Sequence, residues 1–148
     1  MAGQEFSLAA GRRSLVIAGF LIGIVAGIIF AMFEMIVAAL MGMGFFAPLR
    51  MISAIVLGEG ALDPSYSLGA AIVVGLIVHM MLSAVYGVIF GLVVSGWALL
   101  RQRIWVVVVA TVYGLLLWLV NFYIIAPVAF PWFGMADPLV QFIAHTFF

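Results

Sequence analysis

Three stretches of this chain stay apolar for longer than a bilayer is thick: Leu15 to Met41, Leu68 to Leu100 and Ile104 to Ile125. A helix rises about 1.5 Å per residue, and about 20 apolar residues cross a hydrocarbon core of about 30 Å, so each stretch predicts a transmembrane helix. The second would be about 50 Å long, which requires tilt, projection beyond the lipid, or a bend near Gly87, Gly91 or the Ser95-Gly96 pair. Between the first two lies an apolar run from Pro48 to Leu57, opened by proline and closed by Gly58. It is too short to span and predicts an interfacial or re-entrant helix. A turn through Glu59 and Gly60 follows, with Asp63 as the cap and Pro64 as the opening residue of the second span. After Pro127, Pro131 and Pro138, the run from Leu139 to Phe148 covers only about 15 Å as helix. It predicts a partial fourth helix that continues in a longer native chain, lies along the interface, or packs inside an assembly, the first being favoured. The fold class expected is all-α, a polytopic transmembrane bundle forming one domain over residues 1–148.

Composition agrees with this pattern and narrows the chemistry. Of 148 residues 69% are apolar and 7% charged, with a mean hydropathy of +1.45. A soluble domain is about 25% charged, so lipid and not water must face most of the outside. The net charge is zero, and the cations are all Arg, with no Lys. No basic patch tracks a phosphate backbone, so nucleic acid is not an expected partner. The absence of Cys removes disulfides, thiolate metal sites, iron–sulfur clusters and Cys nucleophiles. Arg12 and Arg13 before an apolar run resemble a secretory or twin-arginine signal, but the run of 27 residues far exceeds a signal core of about 7–15 and reads as a retained first span.

Charge also predicts orientation. Arg12 and Arg13 precede the first span, Arg101 and Arg103 lie between the second and third, and the loop between the first two carries only Arg50. The positive-inside rule then puts the N-terminus and the short second loop in the cytoplasm. Trp97 and Trp105 flank the inner boundary, and Phe45, Phe46, Tyr66, Tyr123 and Trp132 fall near the outer one, where amphipathic rings prefer to lie.

Lipid supplies no hydrophobic drive for helix association, so small residues that let backbones approach are informative. Gly19, Gly23, Gly27 and Ala31 recur every four residues on the first span. Ala71, Gly75, His79, Ser83, Gly87, Gly91 and Ser95 do the same on the second. The plain reading is close packing of these two spans, with a right-handed crossing. Docking on another subunit is the alternative. Val85-Tyr86-Gly87 with Leu92-Val93 recurs as Val112-Tyr113-Gly114 with Leu119-Val120. In two oppositely directed spans this is either a worn inverted repeat, as some transporters have, or a coincidence in a Val- and Gly-rich chain.

Four side chains carry candidate chemistry in the membrane. His79 lies about 16 Å below the outer end of the second span and on its small-residue stripe. An imidazole there is a proton relay, a metal or haem ligand, or a quinone donor; its plainer role is a neutral ring bonded to a neighbouring carbonyl. His145 on the fourth helix approaches the same depth, so one bis-imidazole haem is conceivable, though no CxxCH attachment motif is present. Glu34 falls near the outer end of the first span, with Arg50 as the expected interfacial partner and a proton or cation site shared with Asn121 as the sharper reading. Glu59 and Asp63 read as a cap and a solvated loop, and no metal site is assigned. No Walker loop, dinucleotide fingerprint, HExxH or GxSxG occurs, so neither catalysis nor a cofactor is expected.

Glu34-Met35 after a glycine-striped helix, Phe46-Ala47-Pro48-Leu49-Arg50, and the segment HMMLSAVYG from His79 to Gly87 resemble small multi-pass bacterial membrane proteins of unknown function. That resemblance implies the bundle, set in a bacterial plasma membrane, and no activity. Three functions remain in view: an accessory subunit packed with other transmembrane chains or with itself, a small transporter or channel using Glu34, His79 and Asn121, and a redox subunit touching haem or quinone through His79 and His145.

Overall fold

The computed structural model describes residues 2–97, 100 and 102–147, with side chains from residue 11 onward. Arg101, part of the charge pattern, and Phe148, in the fourth helix, lie outside the described residues. Helices α1 (Ala2–Leu40), α2 (Ala47–Leu57), α3 (Leu68–Gly96) and α4 (Arg103–Leu119) follow in order. Then α4 continues through a π-helical stretch, Val120–Ile125, into α5 (Ala126–Ala129), and α6 (Pro138–Phe147) closes the chain. Three helical segments, Gly11–Leu40, Leu68–Gly96 and Arg103–Ala129, are long and apolar enough to cross a membrane. Leu21, Ile22, Val73, Val107 and Ile124 are all more than half exposed. In water each would forfeit about 1.5–3 kcal/mol of possible burial, whereas lipid accepts them. The protein is an all-α helical membrane protein.

The α1–α3 seam holds the bundle together. A Cβ placed on Gly23 would lie 2.8 Å from the Cα of Gly87, one on Gly87 would lie 2.8 Å from the Cα of Gly23, and one on Gly91 would lie 2.7 Å from the carbonyl oxygen of Leu15. Gly19 and Gly27 approach Gly87 and Ser83 as closely. Backbones therefore touch along the two stripes, and Ala31 is buried just beyond Gly27. Gly75 belongs to a different contact, since it faces the Leu49 backbone of α2. That contact places α2 about two turns below the Ser67 end of α3. The Trp132 indole N–H donates to the Met51 carbonyl at 3.1 Å and ties α2 to the segment before α6.

Several element ends depart from expectation. Helix α3 is capped by Ser67, whose hydroxyl accepts from the Ala70 N–H at 3.3 Å. Asp63 instead closes a tight turn, accepting from the Ser65 N–H at 2.7 Å and the Ser65 hydroxyl at 2.6 Å. A short carboxylate before Pro64 is well suited to that turn, and it leaves the cap to the next hydroxyl upstream of the apolar run. The far end of α3 is Gly96, not Leu100, because Trp97 is extended at φ −133° and ψ 123°. The third span passes beyond Ile125 to Ala129 and carries Pro127 within it. Proline lacks an N–H and crowds the carbonyl four residues back, and the wider turn just before it absorbs the mismatch: the Ala126 N–H donates to Asn121, five residues away.

Helix α6 starts where Asp137 caps it, its Oδ1 accepting from the N–H groups of Leu139 at 2.9 Å and Val140 at 3.0 Å. It runs back beside α4 until the His145 backbone meets Gly114, where a Cβ would stand 3.2 Å from the His145 carbonyl carbon. Gly114 is about 16 Å along α4 from Arg103, so α6 reaches the middle of that helix.

Candidate intramembrane binding site

Between α1, α2 and α3 on one side and α4 and α6 on the other lies a cavity of about 650 Å³. Glu34, His79, Asn121 and His145 all line it. The sequence placed these four on four different helices, and the fold brings them to one chamber, although no two of them are bonded to each other.

His79 is buried, and its Nε2 donates to the Gly27 carbonyl at 2.8 Å. A Cβ at Gly27 would stand 3.6 Å from that nitrogen and 2.6 Å from the Cβ of Ser83, so the glycine makes room for Ser83 beside the ring. A carbonyl only accepts, so Nε2 carries the proton and Nδ1 keeps a lone pair. Ser83, one turn along, donates its hydroxyl to the His79 carbonyl at 2.8 Å. His145 is arranged the other way: Nδ1 donates to the Gln141 carbonyl at 2.8 Å, leaving Nε2 as the acceptor. Phe30 packs against both imidazoles, with ring centroids 6.0 Å from His79 and 4.9 Å from His145. Each imidazole thus has one nitrogen engaged by backbone and an aromatic ring against it.

Glu34 is buried, but its partner is Gln141, whose Nε2 donates to Oε2 at 2.8 Å. Arg50 is occupied elsewhere, donating Nη1 to the carbonyls of Ala61 at 3.1 Å and Asp63 at 2.7 Å. The turn after α2 presents those two carbonyls together, and a guanidinium fork takes the pair in preference to reaching α1. Glu34 Oε1 is buried without any hydrogen-bond partner. Asn121 does not pair with Glu34 either, since its Oδ1 accepts from the Tyr86 hydroxyl at 3.1 Å. Tyr113 donates to the Tyr86 carbonyl at 3.0 Å and ties α4 to α3.

Three lining residues escaped sequence reasoning. Gln141 was signalled by its spacing, one turn before His145 and so on the same face of α6. Tyr86 and Tyr113 were marked by the recurring Val-Tyr-Gly, whose glycines do matching jobs: Gly87 admits α1, and Gly114 admits α6. Among the described residues no group of three His, Asp or Glu comes together as a metal ion requires.

Apart from Ser83 and Asp137 the remaining walls are apolar, including Phe30, Phe90, Phe122, Phe133 and Leu82. Chemically the chamber can hold a mainly apolar molecule and fix its orientation through a few polar groups, the usual composition of a small-molecule site. No family model, curated protein or solved structure matches this chain.

Proposed function

We propose that this protein is a non-enzymatic, multi-pass component of a bacterial plasma membrane that binds a small, mostly apolar molecule within the bilayer. The observation that carries this reading is the cavity of about 650 Å³, in which every intramembrane ionisable side chain singled out above is gathered. A bundle built only to fill lipid has no reason to hold polar groups around a shared space, because each one costs free energy when it is removed from water. Orientation follows from Arg12, Arg13, Arg101 and Arg103, which favour a cytoplasmic N-terminus.

Binding of the neutral fluorophore 1-aminoanthracene to the purified protein in lipid nanodiscs tests this directly. Saturable enhancement of its emission is expected, with loss of that enhancement in Ala110→Trp, since Ala110 lines the cavity and an indole there obstructs it. Equal saturable enhancement from the variant and from the unaltered protein would rule out the chamber as the binding place.

A second reading, of an accessory subunit in a larger assembly or homo-oligomer, is favoured by α4, in which none of the described residues is buried. Such a face is open to lipid or to a neighbouring helix. Native mass spectrometry from mild detergent separates the two: a lone monomer removes the subunit reading.

A further inference from the structure

The chamber has carboxyls and no fixed cation. Its lining contains the carboxyls of Glu34 and Asp137 but no Arg, and the chain has no Lys at all. Asp137 is balanced locally, because its Oδ1 takes two N–H groups at the positive end of α6. The two imidazoles are held as neutral rings, each giving its one N–H to a carbonyl. Arg50 is committed to the backbone around Asp63. Glu34 alone is left over: it is 8% exposed, an amide serves its Oε2, and nothing serves its Oε1.

A carboxyl group with a bare oxygen in a dry site is stable only when a proton or a cation neutralises it. The surroundings favour a cation of a particular kind. Strongly hydrated inorganic ions need several oxygen ligands, which this lining does not gather. Phe30, Phe90 and Phe122 line the same space, and aromatic rings attract weakly hydrated organic cations while burying their apolar parts. Resting on the chamber reading above, we propose that the ligand is a lipophilic organic cation, a protonated amine or a quaternary onium with a bulky apolar body. Glu34 holds the charge, and the phenylalanine rings enclose the body. A neutral ligand without a hydrogen-bond donor would leave the Glu34 oxygen as bare as before.

Displacement of bound 1-aminoanthracene in phosphatidylcholine nanodiscs tests this, with tetraphenylphosphonium and the uncharged, similarly shaped tetraphenylsilane as competitors. Tetraphenylphosphonium is expected to displace the fluorophore at concentrations at least about tenfold lower. That advantage disappears in Glu34→Gln, which retains an acceptor oxygen for the Gln141 amide and removes the charge. Equal potency of the two competitors, or a preference that survives Glu34→Gln, overturns the proposal while leaving the chamber intact. If Glu34→Gln does not fold, the comparison of the two competitors on the unaltered protein decides alone. Failure of 1-aminoanthracene itself to bind removes the chamber reading and this one with it.

Discussion

Glu34 shows how a residue is read differently once its neighbours are known. In sequence it lies near the end of an apolar run with Arg50 downstream, which suggests an ion pair. In the fold it meets Gln141 of α6. Replacing the amide by a hydrocarbon leaves the buried carboxyl with no donor on either oxygen, a loss of about 1–3 kcal/mol. Gln141→Leu should therefore lower stability by that amount in reversible unfolding in mixed micelles. The double variant Glu34→Leu/Gln141→Leu should recover most of it, since no buried polar group is then stranded. A double variant as unstable as the single one would show that Gln141 acts through packing. Outside the membrane, the hydrogen bonds from Ser65 hold the exposed Asp63 carboxyl below its ordinary carboxylate range. A depressed native pKa means that the turn's contribution is present above the unfolded-state value and is lost as pH falls through the native one. Ser65→Ala should move the Asp63 titration, followed by carboxyl-carbon NMR, back up toward the ordinary range.

Elements were far more legible than their ends. Span lengths and the small-residue stripes depend only on hydropathy and spacing, and three spans with an α1–α3 seam were readable from them. Caps depend on one or two side chains whose competition is local, which is why Asp63 was assigned a helix that Ser67 caps. The extension through Pro127 was hidden for a related reason: a proline ordinarily ends a helix, and only the π turn before it reveals the accommodation. The seam supports a contrast within one helix. A Cβ on Gly69 would meet nothing within 4 Å, whereas one on Gly87 would collide with the backbone of α1. Gly87→Leu should cost about 1–3 kcal/mol or more by overpacking. Gly69→Leu should be close to neutral, as measured by thermal unfolding in detergent. Comparable losses at both sites would mean that the seam does not govern stability.

For the molecule as a whole, the candidate site was half legible. Sequence supplied His79, His145, Glu34 and Asn121 because ionisable and amide groups are conspicuous in an apolar run. Their pairing was not available, since the contacts of Gly27 with His79 and of Gly114 with α6 join distant parts of the chain. Helix α6 contributes Val140, Gln141 and His145 to the cavity wall. A chain shortened before Pro138 keeps all three long apolar helices. It should still insert, as judged by membrane fractionation, and should lose saturable binding of 1-aminoanthracene. Retained binding would show that the wall formed by α6 is dispensable.

The Glu34–Gln141 hydrogen bond spans 107 positions of sequence, and that interval has a meaning on the ribosome. At a synthesis rate of about 5–20 residues per second, the first helix has been made for roughly 5–20 s before its amide partner is even translated. Throughout that wait the nascent first helix carries a carboxyl whose partner lies 107 positions downstream, so a chaperone or insertase that shelters such groups has a definite window in which to act on this protein.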